Sequence, residues 1–281
     1  MLPDQIDEAM VRRNLIGDWS MKSLREVVIL AVVSWFFASG AFAAQCGSTS
    51  GGFSEWQSEF AGEAKAAGIK AKGLSALAAA TYAAGTIRAD RNQKNFKLSL
   101  SAFMAKRGAA AIVSQGRSLK KTNAALFHAI EAKYGVPAGP LIAIWGMETG
   151  FGAVMGNQNT VSAVATLAYD CRRSEFFTEQ LLAALKLVDR GTISGSSKGA
   201  MHGEVGQTQF LPKNVLLFGV GGSLTGKAAA LASTANFLRG HGWEKSEGYQ
   251  PGQANFGAIQ GWNAATVYQK AIAIMGAQID G

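Results

Sequence analysis

Residues 140–152 read PLIAIWGMETGFG, and this stretch predicts both the fold class and the chemistry of the chain. On a helix that begins near Pro140, residues 141, 144, 145 and 148 share one stripe, so Glu148 stands where an apolar side chain is expected. A carboxyl group on a buried face loses solvation in its charged form, which raises its pKa and lets it donate a proton near neutral pH. The glycines at 150 and 152 predict the helix end and room for a ligand. The alternative is a structural glutamate neutralised by an arginine.

Helical spacing of apolar residues continues on both sides of this stretch. Phe53, Trp56 and Phe60 fall at helical intervals, whereas the alternation typical of strands is scarce. The polar and basic residues 86–97 predict a surface connection. We therefore expect a mainly α protein. Residues 44–281 are expected to form a single domain, with a helical N-terminal part at about 53–120 and a catalytic core at about 121–281.

Residues 1–43 have the layout of an N-terminal extension followed by a signal peptide. A basic start at Lys22 and Arg25 precedes an apolar run from Val27 to Ala38, and small residues precede a cleavage site after Ala43. The run is shorter than the roughly 20 residues of a spanning helix, so we expect no stable membrane span after cleavage. A buried core helix is the alternative. The pattern predicts an exported, periplasmic protein.

The charge of the remaining chain indicates a class of partner. Residues 44–281 hold 23 Lys and Arg against 14 Asp and Glu, a net charge of +9. Outside the cytosol such a surface meets anionic wall polymers and lipid headgroups rather than nucleic acid. We therefore expect no nucleic-acid partner.

The chain has only two cysteines, Cys46 and Cys171, and three histidines, which exclude zinc sites with ordinary ligand spacing. In an oxidising compartment the two cysteines can form a disulfide. Closing so long a loop would stabilise the fold by about 4–5 kcal/mol on the chain-entropy model. Two separate thiols are the alternative.

Two short motifs resemble catalytic or nucleotide-binding signatures without their context. Residues 195–199 fit G-x-S-x-G, but no buried strand precedes them, and a flexible loop is the simpler interpretation. Residues 221–227 resemble a phosphate-binding loop and follow an apolar run, residues 215–220, that could form a strand. Ala228 occupies the position where a Ser or Thr would bind magnesium, which argues against nucleotide binding.

Further short stretches over about residues 120–275 carry a family resemblance together with the Glu148 segment. They read YGVP at 134–137, IWGMETGFG at 144–152, TLAYDCRR at 166–173, GEVGQTQFLP at 203–212, STANFL at 233–238, GW at 242–243 and WNAATVY at 262–268. In this order they resemble the lytic murein transglycosylases of glycoside hydrolase family 103, the membrane-bound-B type. The resemblance implies a lysozyme-like (α+β) catalytic domain with extra N-terminal helices. It also implies cleavage of the β-1,4 bond between N-acetylmuramic acid and N-acetylglucosamine without a cofactor.

Within that resemblance, Glu148 matches the single catalytic acid and base of the family. It would protonate the glycosidic oxygen and then take the proton from the muramoyl C6 hydroxyl as that oxygen closes on C1, giving a 1,6-anhydro sugar. Most glycosidases need two carboxylates for such a cleavage. Here the acetamido group of the substrate is expected to stabilise the cationic centre, so one glutamate suffices.

The other matches imply binding roles. Gln209 and Asn263 match residues that contact sugar in the cleft, and Gln209 has a backbone cap as its alternative role. Trp262 and Tyr268 match aromatic residues that flank the saccharide, where an apolar face with a polar edge suits a sugar ring. Core aromatics of the last helix are the alternative.

Arg172 and Arg173 are adjacent cations within one of the matching stretches. They either meet the carboxylates of the stem peptide or face water, and the sequence does not distinguish the two.

The chain departs from the family pattern at two points. Between Glu204 and Glu244 it has no Asp or Glu, which predicts no metal site. Met201 and His202 stand where many relatives carry Trp-Ala, and His202 is expected to replace a packing residue.

Taken together, these features predict an exported transglycosylase that acts on peptidoglycan glycan strands, with an envelope-spanning complex as a further partner to consider. Two alternatives remain at this point. One is a hydrolytic muramidase on the same fold, and the other is a non-catalytic protein that binds or organises the wall.

Overall fold

The structure, a computed structural model, describes residues 44–92 and 98–281. The predicted extension and signal peptide, residues 1–43, lie outside the described residues, as do residues 93–97 of the predicted surface connection. Within the described part of the chain, no helix has the length and hydropathy needed to cross a bilayer.

Helices connected by loops make up most of the described chain. The helices are α1 (Phe53–Ala66), α2 (Ala71–Ala78), α3 (Ala84–Arg91), α4 (Leu100–Lys106), α5 (Ala109–Thr122), α6 (Ala124–Tyr134), α7 (Ala138–Thr149), α8 (Thr160–Tyr169), α9 (Ser174–Asp189), α10 (Pro212–Phe218), α11 (Lys227–Gly240), α12 (Phe256–Trp262) and α13 (Thr266–Asp280), with a 3-10 turn at Ser50–Gly52. Strand β1 (Gln158–Asn159) pairs antiparallel with β2 (Lys198–Gly199). The prediction of a mainly α protein is confirmed.

Two hydrophobic cores organise these helices. The first core joins α1, α2 and α3 to α8 and α9, with Phe60 and Leu181 among its fully buried side chains. The second core surrounds α7 with α5, α6, α11 and α13. Ile193 packs against both cores. The domain boundary near residue 120 stays a prediction. The division between the two cores falls earlier in the chain, before α4, because Phe103 of α4 packs in the second core.

Helix α7 is apolar on every side and lies inside the second core. All of its residues from Ala138 to Met147 are buried, as is Thr149, and only Glu148 is partly exposed. The helix ends at Gly150, which has φ +57° and donates its N–H to the carbonyl of Gly146 at 3.0 Å. The acid therefore stands in the last turn of a buried helix, where a side chain first reaches a cleft.

One local prediction is wrong. Residues 84–91 form helix α3 instead of a surface connection, and Thr86, Ile87 and Asp90 are buried on its inner face. A buried charge such as Asp90 is tolerated where cations pair with it, so polar composition alone misled the interpretation. Residues 215–218, part of the apolar run that could have formed a strand, belong to helix α10, which Pro212 begins with a φ already suited to a helix.

The predicted Cys46–Cys171 disulfide is formed, with an S–S distance of 2.09 Å. The backbone beside it is paired as well, because the Gly47 N–H donates to the Tyr169 carbonyl at 2.9 Å and the Cys171 N–H donates to the Gly47 carbonyl at 3.2 Å. A Cβ at position 47 would lie 2.0 Å from the Tyr169 hydroxyl, so only glycine fits there. These contacts fasten the start of the described chain to the end of α8.

Candidate active site

Glu148 borders a cavity of about 220 Å³ that is also lined by Glu204, Gln209 and Asn263. Its Oε1 accepts hydrogen bonds from the indole N–H of Trp262 at 3.2 Å and from the hydroxyl of Tyr268. Both donors are neutral. The structure thus brings Glu148 together with Gln209, Asn263, Trp262 and Tyr268 from distant parts of the sequence.

No cation in the described residues forms an ion pair with Glu148, so an arginine does not neutralise it. Arg107 acts at longer range, since its guanidinium lies 5.9 Å from the centre of the Tyr268 ring. That arginine is itself exposed to solvent. The structural alternative for Glu148, a salt-bridged glutamate, is therefore not the arrangement that the structure has.

The surroundings of Glu148 favour its protonated form. Burial raises the pKa of this carboxyl, and the negative charge of Glu204 raises it further. The hydrogen bonds from Tyr268 and Trp262 and the charge of Arg107 lower it, but by less than burial and Glu204 together raise it. A carboxyl group with a raised pKa keeps its proton closer to neutral pH and can act as a general acid.

Gln209 belongs to a tight turn that follows Glu204. Val205 and Phe210 exchange backbone hydrogen bonds of 2.8 and 3.0 Å, and Gln209 between them has φ +57°. Its amide nitrogen donates to the carbonyl of Gly206 at 2.8 Å, which is the backbone-capping contact, while the side chain also lines the cavity beside Glu148. A role in sugar binding stays a prediction.

Gln207 of the same turn holds it against α7. The indole N–H of Trp145 donates to Gln207 Oε1 at 2.8 Å, and the Thr149 hydroxyl donates to the Gln207 carbonyl at 2.6 Å. A Cβ at Gly152 would lie 2.6 Å from Gln207 Oε1. Gly152 thus permits the close approach of Gln207, whereas the sequence predicted that a ligand would approach at this position.

Trp262 and Asn263, at the end of α12, form another part of the lining. The Trp262 ring meets Phe210 and Phe237 edge to face, with centroids 5.2 and 5.1 Å away. Asn263 Oδ1 accepts the backbone N–H of Ala265 at 2.9 Å. Both residues also border an adjoining groove of about 670 Å³, which continues the cavity towards Arg173.

Tyr268 lies beneath Glu148 and is 5% exposed. Burial and the neighbouring Glu148 raise the pKa of its hydroxyl well above the ordinary value, so it remains a neutral donor. Its contact in this structure is with the acid. The predicted contacts of Tyr268 and of Trp262 with sugar both stay predictions.

A charged cluster lies beside the cavity. Arg172 and Arg173 both pair with Asp90, whose side chain is 3% exposed. His202 Nε2 lies 3.7 Å from Asp90 Oδ1, and His202 Nδ1 lies 3.2 Å from Glu204 Oε1. His202 therefore connects two carboxylates, and its expected role as a packing residue is wrong. Contact of the arginines with stem-peptide carboxylates stays a prediction.

Glu204 is the second carboxyl group of the cavity, and sequence reasoning gave it no role. Burial tends to raise its pKa, but the hydrogen bonds and charge of His202, with backbone hydrogen bonds, outweigh burial, so the pKa of Glu204 is lowered. The available signal was its isolation, because no other acidic residue occurs between Glu204 and Glu244. Asp90 and His202 were missed because their contacts join residues far apart in the chain.

Metal binding has no support among the described residues, where no group of three or more His, Cys, Asp or Glu is placed to hold an ion. The expectation that the protein works without metal or cofactor stays a prediction.

Comparison with known proteins identifies the family. The sequence model of the family described as Transglycosylase SLT domain matches residues 52–252, which contain Glu148, Glu204 and Gln209. The chain belongs to this family. Trp262, Asn263 and Tyr268, which the sequence also predicted in the cleft, lie beyond the matched range.

Individual members of the transglycosylase family are also similar to this chain. It is 34% identical over 122 residues to Membrane-bound lytic murein transglycosylase B of Escherichia coli strain K12. That alignment covers 41% of this chain and 34% of the relative, about a third of its length. The predicted resemblance to lytic murein transglycosylases is confirmed.

Solved structures extend the likeness to the fold. SltB3 from Pseudomonas aeruginosa, solved in complex with NAG-anhNAM-pentapeptide, matches with a TM-score of 0.75 and 27% identity over 82% of this chain and 80% of that chain. The Escherichia coli lytic transglycosylase SLT35, in complex with bulgecin A, matches with a TM-score of 0.69 and 20% identity over 85% of this chain and 96% of that chain. The predicted lysozyme-like fold is confirmed.

Proposed function

We propose that this protein is a lytic transglycosylase, which cleaves the β-1,4 bond between N-acetylmuramic acid and N-acetylglucosamine in peptidoglycan and leaves 1,6-anhydromuramoyl ends. The observation that carries the proposal is the position of Glu148, a carboxyl group with a raised pKa that is held by two neutral donors at a cavity. Membership of the transglycosylase family and the likeness to a structure that holds NAG-anhNAM-pentapeptide support the choice of substrate and product.

In this reaction Glu148 acts first as an acid and then as a base. Its proton passes to the glycosidic oxygen while the bond from that oxygen to muramoyl C1 breaks, and the departing N-acetylglucosamine keeps that proton as a hydroxyl. The C6 oxygen of the same muramoyl residue then bonds to C1, and its proton returns to the Glu148 carboxylate. No water is consumed, and the enzyme ends in its starting protonation state.

Tyr268 and Trp262 position the acid for both steps. Their hydrogen bonds to Oε1 fix the orientation of the carboxyl group and stabilise it after the proton has left. Gln209 and Asn263, which line the same cavity, are proposed to hold the sugars on either side of the bond. Arg172 and Arg173 are proposed to meet the stem peptide near the adjoining groove, which Arg173 lines.

The test is digestion of purified peptidoglycan with mass spectrometry of the released muropeptides. Wild-type protein should release anhydro products, each lighter by one water than the hydrolysis product. Glu148→Gln should lose about 10²- to 10⁴-fold in turnover, the usual contribution of a general acid. Glu59→Gln, a change of an exposed glutamate on α1, is the matched control. Full turnover by Glu148→Gln would contradict the proposal. A wild-type protein that binds peptidoglycan but releases no muropeptides would favour a non-catalytic role in binding or organising the wall.

A hydrolytic muramidase is the second candidate, and one observation favours it. Glu204 places a second carboxylate in the cavity with Glu148, and glycosidases that use water generally employ two carboxyl groups. The same mass measurement separates the two reactions, because hydrolysis leaves ordinary reducing ends.

We further propose that the protein acts in the periplasm on glycan strands, where its activity could serve an envelope-spanning complex. The Cys46–Cys171 disulfide supports an oxidising compartment. Fractionation of cells with an antibody against the protein tests the location, and recovery of the mature chain from the cytosol would contradict it.

A further inference from the structure

The groups that contact the Glu204 carboxylate differ from those that contact Glu148. His202 contributes two contacts, since its backbone N–H donates to Glu204 Oε2 at 3.0 Å and its Nδ1 lies 3.2 Å from Glu204 Oε1. The side chain of Glu204 is 23% exposed and borders the cavity that Glu148 also borders. Because both oxygens of the carboxylate contact one histidine, the Glu204 side chain is held in its orientation towards the cavity.

The histidine is in turn held from the other side. Asp90 Oδ1 lies 3.7 Å from His202 Nε2, so the imidazole faces a carboxylate at each of its nitrogens. Asp90 sits on α3, which belongs to the first hydrophobic core, whereas Glu148 sits on α7 in the second. Glu204 is thus fixed between the two cores by a chain of charged contacts.

The charges around Glu204 come from each neighbouring element. His202 belongs to its own loop, Arg173 precedes α9 and attracts it, and Glu148 on α7 repels it. His202 and Arg173 favour an ionised Glu204. The negative charge of Glu204 in turn favours a proton on Glu148. The surroundings thus shift the two carboxyl groups of the cavity in opposite directions, with the pKa of Glu148 raised and that of Glu204 lowered.

We propose that Glu204 is a second functional acid of this cleft, held as an anion by His202, which stabilises the positive charge that develops on the anomeric carbon while Glu148 donates its proton. His202 is a positioning residue that acts through Glu204. The inference rests on the proposed function, and it changes the expectation that a single glutamate and the acetamido group of the substrate suffice.

The charge of Glu204 is tested by Glu204→Gln, which keeps the size and hydrogen-bonding capacity of the side chain. We expect kcat to fall about 10- to 100-fold, with KM changed far less, because the interaction is made mainly in the transition state. The alkaline limb of the kcat/KM profile should move to lower pH, since loss of the negative charge lowers the pKa of Glu148. Glu204→Asp, which keeps the charge, should retain more activity than Glu204→Gln.

His202→Gln tests the support of that charge. Without the imidazole the pKa of Glu204 should rise, so the acidic limb of the profile should move to higher pH. Thermal unfolding of each variant, followed by circular dichroism, corrects for any loss of folded protein. Glu59→Gln is again the control.

Three results would overturn the inference. One is wild-type kcat with both limbs unmoved in Glu204→Gln, and another is a loss of folded protein that accounts for the whole loss of activity. The third is a set of hydrated ends in the wild-type digest that disappears in Glu204→Gln, because Glu204 would then activate water. Failure of the proposed function is distinct, since it would appear as full turnover by Glu148→Gln whatever Glu204→Gln does.

Discussion

Glu148 and Asp90 are both acidic side chains removed from bulk water, yet the protein surrounds them in opposite ways. Glu148 contacts two neutral donors, Trp262 and Tyr268, whereas Asp90 contacts two arginines and faces a histidine. Because the two donors are neutral, burial is the dominant influence and raises the pKa of Glu148. Cations stabilise an anion, so the second group serves to fasten elements together. The type of neighbour decides which carboxyl group can do chemistry.

Removal of the Cys46–Cys171 disulfide should have the largest effect on the surroundings of Asp90. Cys171 directly precedes Arg172 and Arg173, which pair with Asp90. Replacing both Cys46 and Cys171 by Ser should lower the free energy of unfolding by about 4–5 kcal/mol, since the bond closes a loop with a sequence separation of 125. Urea denaturation measures the change. Wild-type protein treated with a reductant should match the double variant, and an unchanged midpoint in both would contradict the role of the bond.

Asp90→Asn should weaken the charged cluster directly. We expect a loss of about 2 kcal/mol in the free energy of unfolding, as hydrogen bonds to a charged group are lost. The cost stays moderate because Arg172 and Arg173 are 46% and 39% exposed and water can solvate them. The exposed Glu59→Gln serves as the control in the same urea titration. A stability equal to that of the control would show that Asp90 does not fasten α3 to the loop before α9.

Tyr268→Phe alters the neutral surroundings of Glu148. The hydroxyl stabilises the carboxylate that forms when Glu148 gives up its proton, so its loss should lower kcat about 10-fold. That hydrogen bond also lowers the pKa of Glu148, and without it the alkaline limb of kcat/KM should move to higher pH. Tyr134→Phe, at another buried tyrosine, is the matched control. An unmoved limb would mean that the hydroxyl does not act on the acid.

Glu148→Gln should have the smallest effect on stability, and in the favourable direction. Because burial raises the pKa of Glu148 above its ordinary value of 4.5, the folded protein binds this proton more tightly than the unfolded chain does. Wild-type stability from this group therefore falls as pH rises from that value through the raised pKa, whereas glutamine does not titrate. The melting temperature of the variant, relative to that of the wild type, should be higher at pH 8 than at pH 5. A higher melting temperature for the wild type than for the variant at pH 8 would mean that ionised Glu148 is stabilised by its site.

Much of the fold follows from local patterns. Phe53, Trp56 and Phe60 predicted a helix that exists as α1, and the apolar run before Glu148 predicted the buried helix α7. Helix α3 escaped this reasoning, because the polar residues that suggested a surface segment include Asp90, which is buried against cations from distant loops. Pattern alone shows which face of a helix is apolar. It does not show which charges meet partners.

The site divides in the same manner. The sequence by itself determined that Glu148 would be an acid removed from water at the end of a helix, because spacing and composition within one short segment carry that information. Only the tertiary structure decided that Tyr268 and Trp262 hold this acid, and that His202, Asp90 and Glu204 form one connected set of charges. Those contacts join segments up to 120 residues apart, and their distances arise from packing of the two cores.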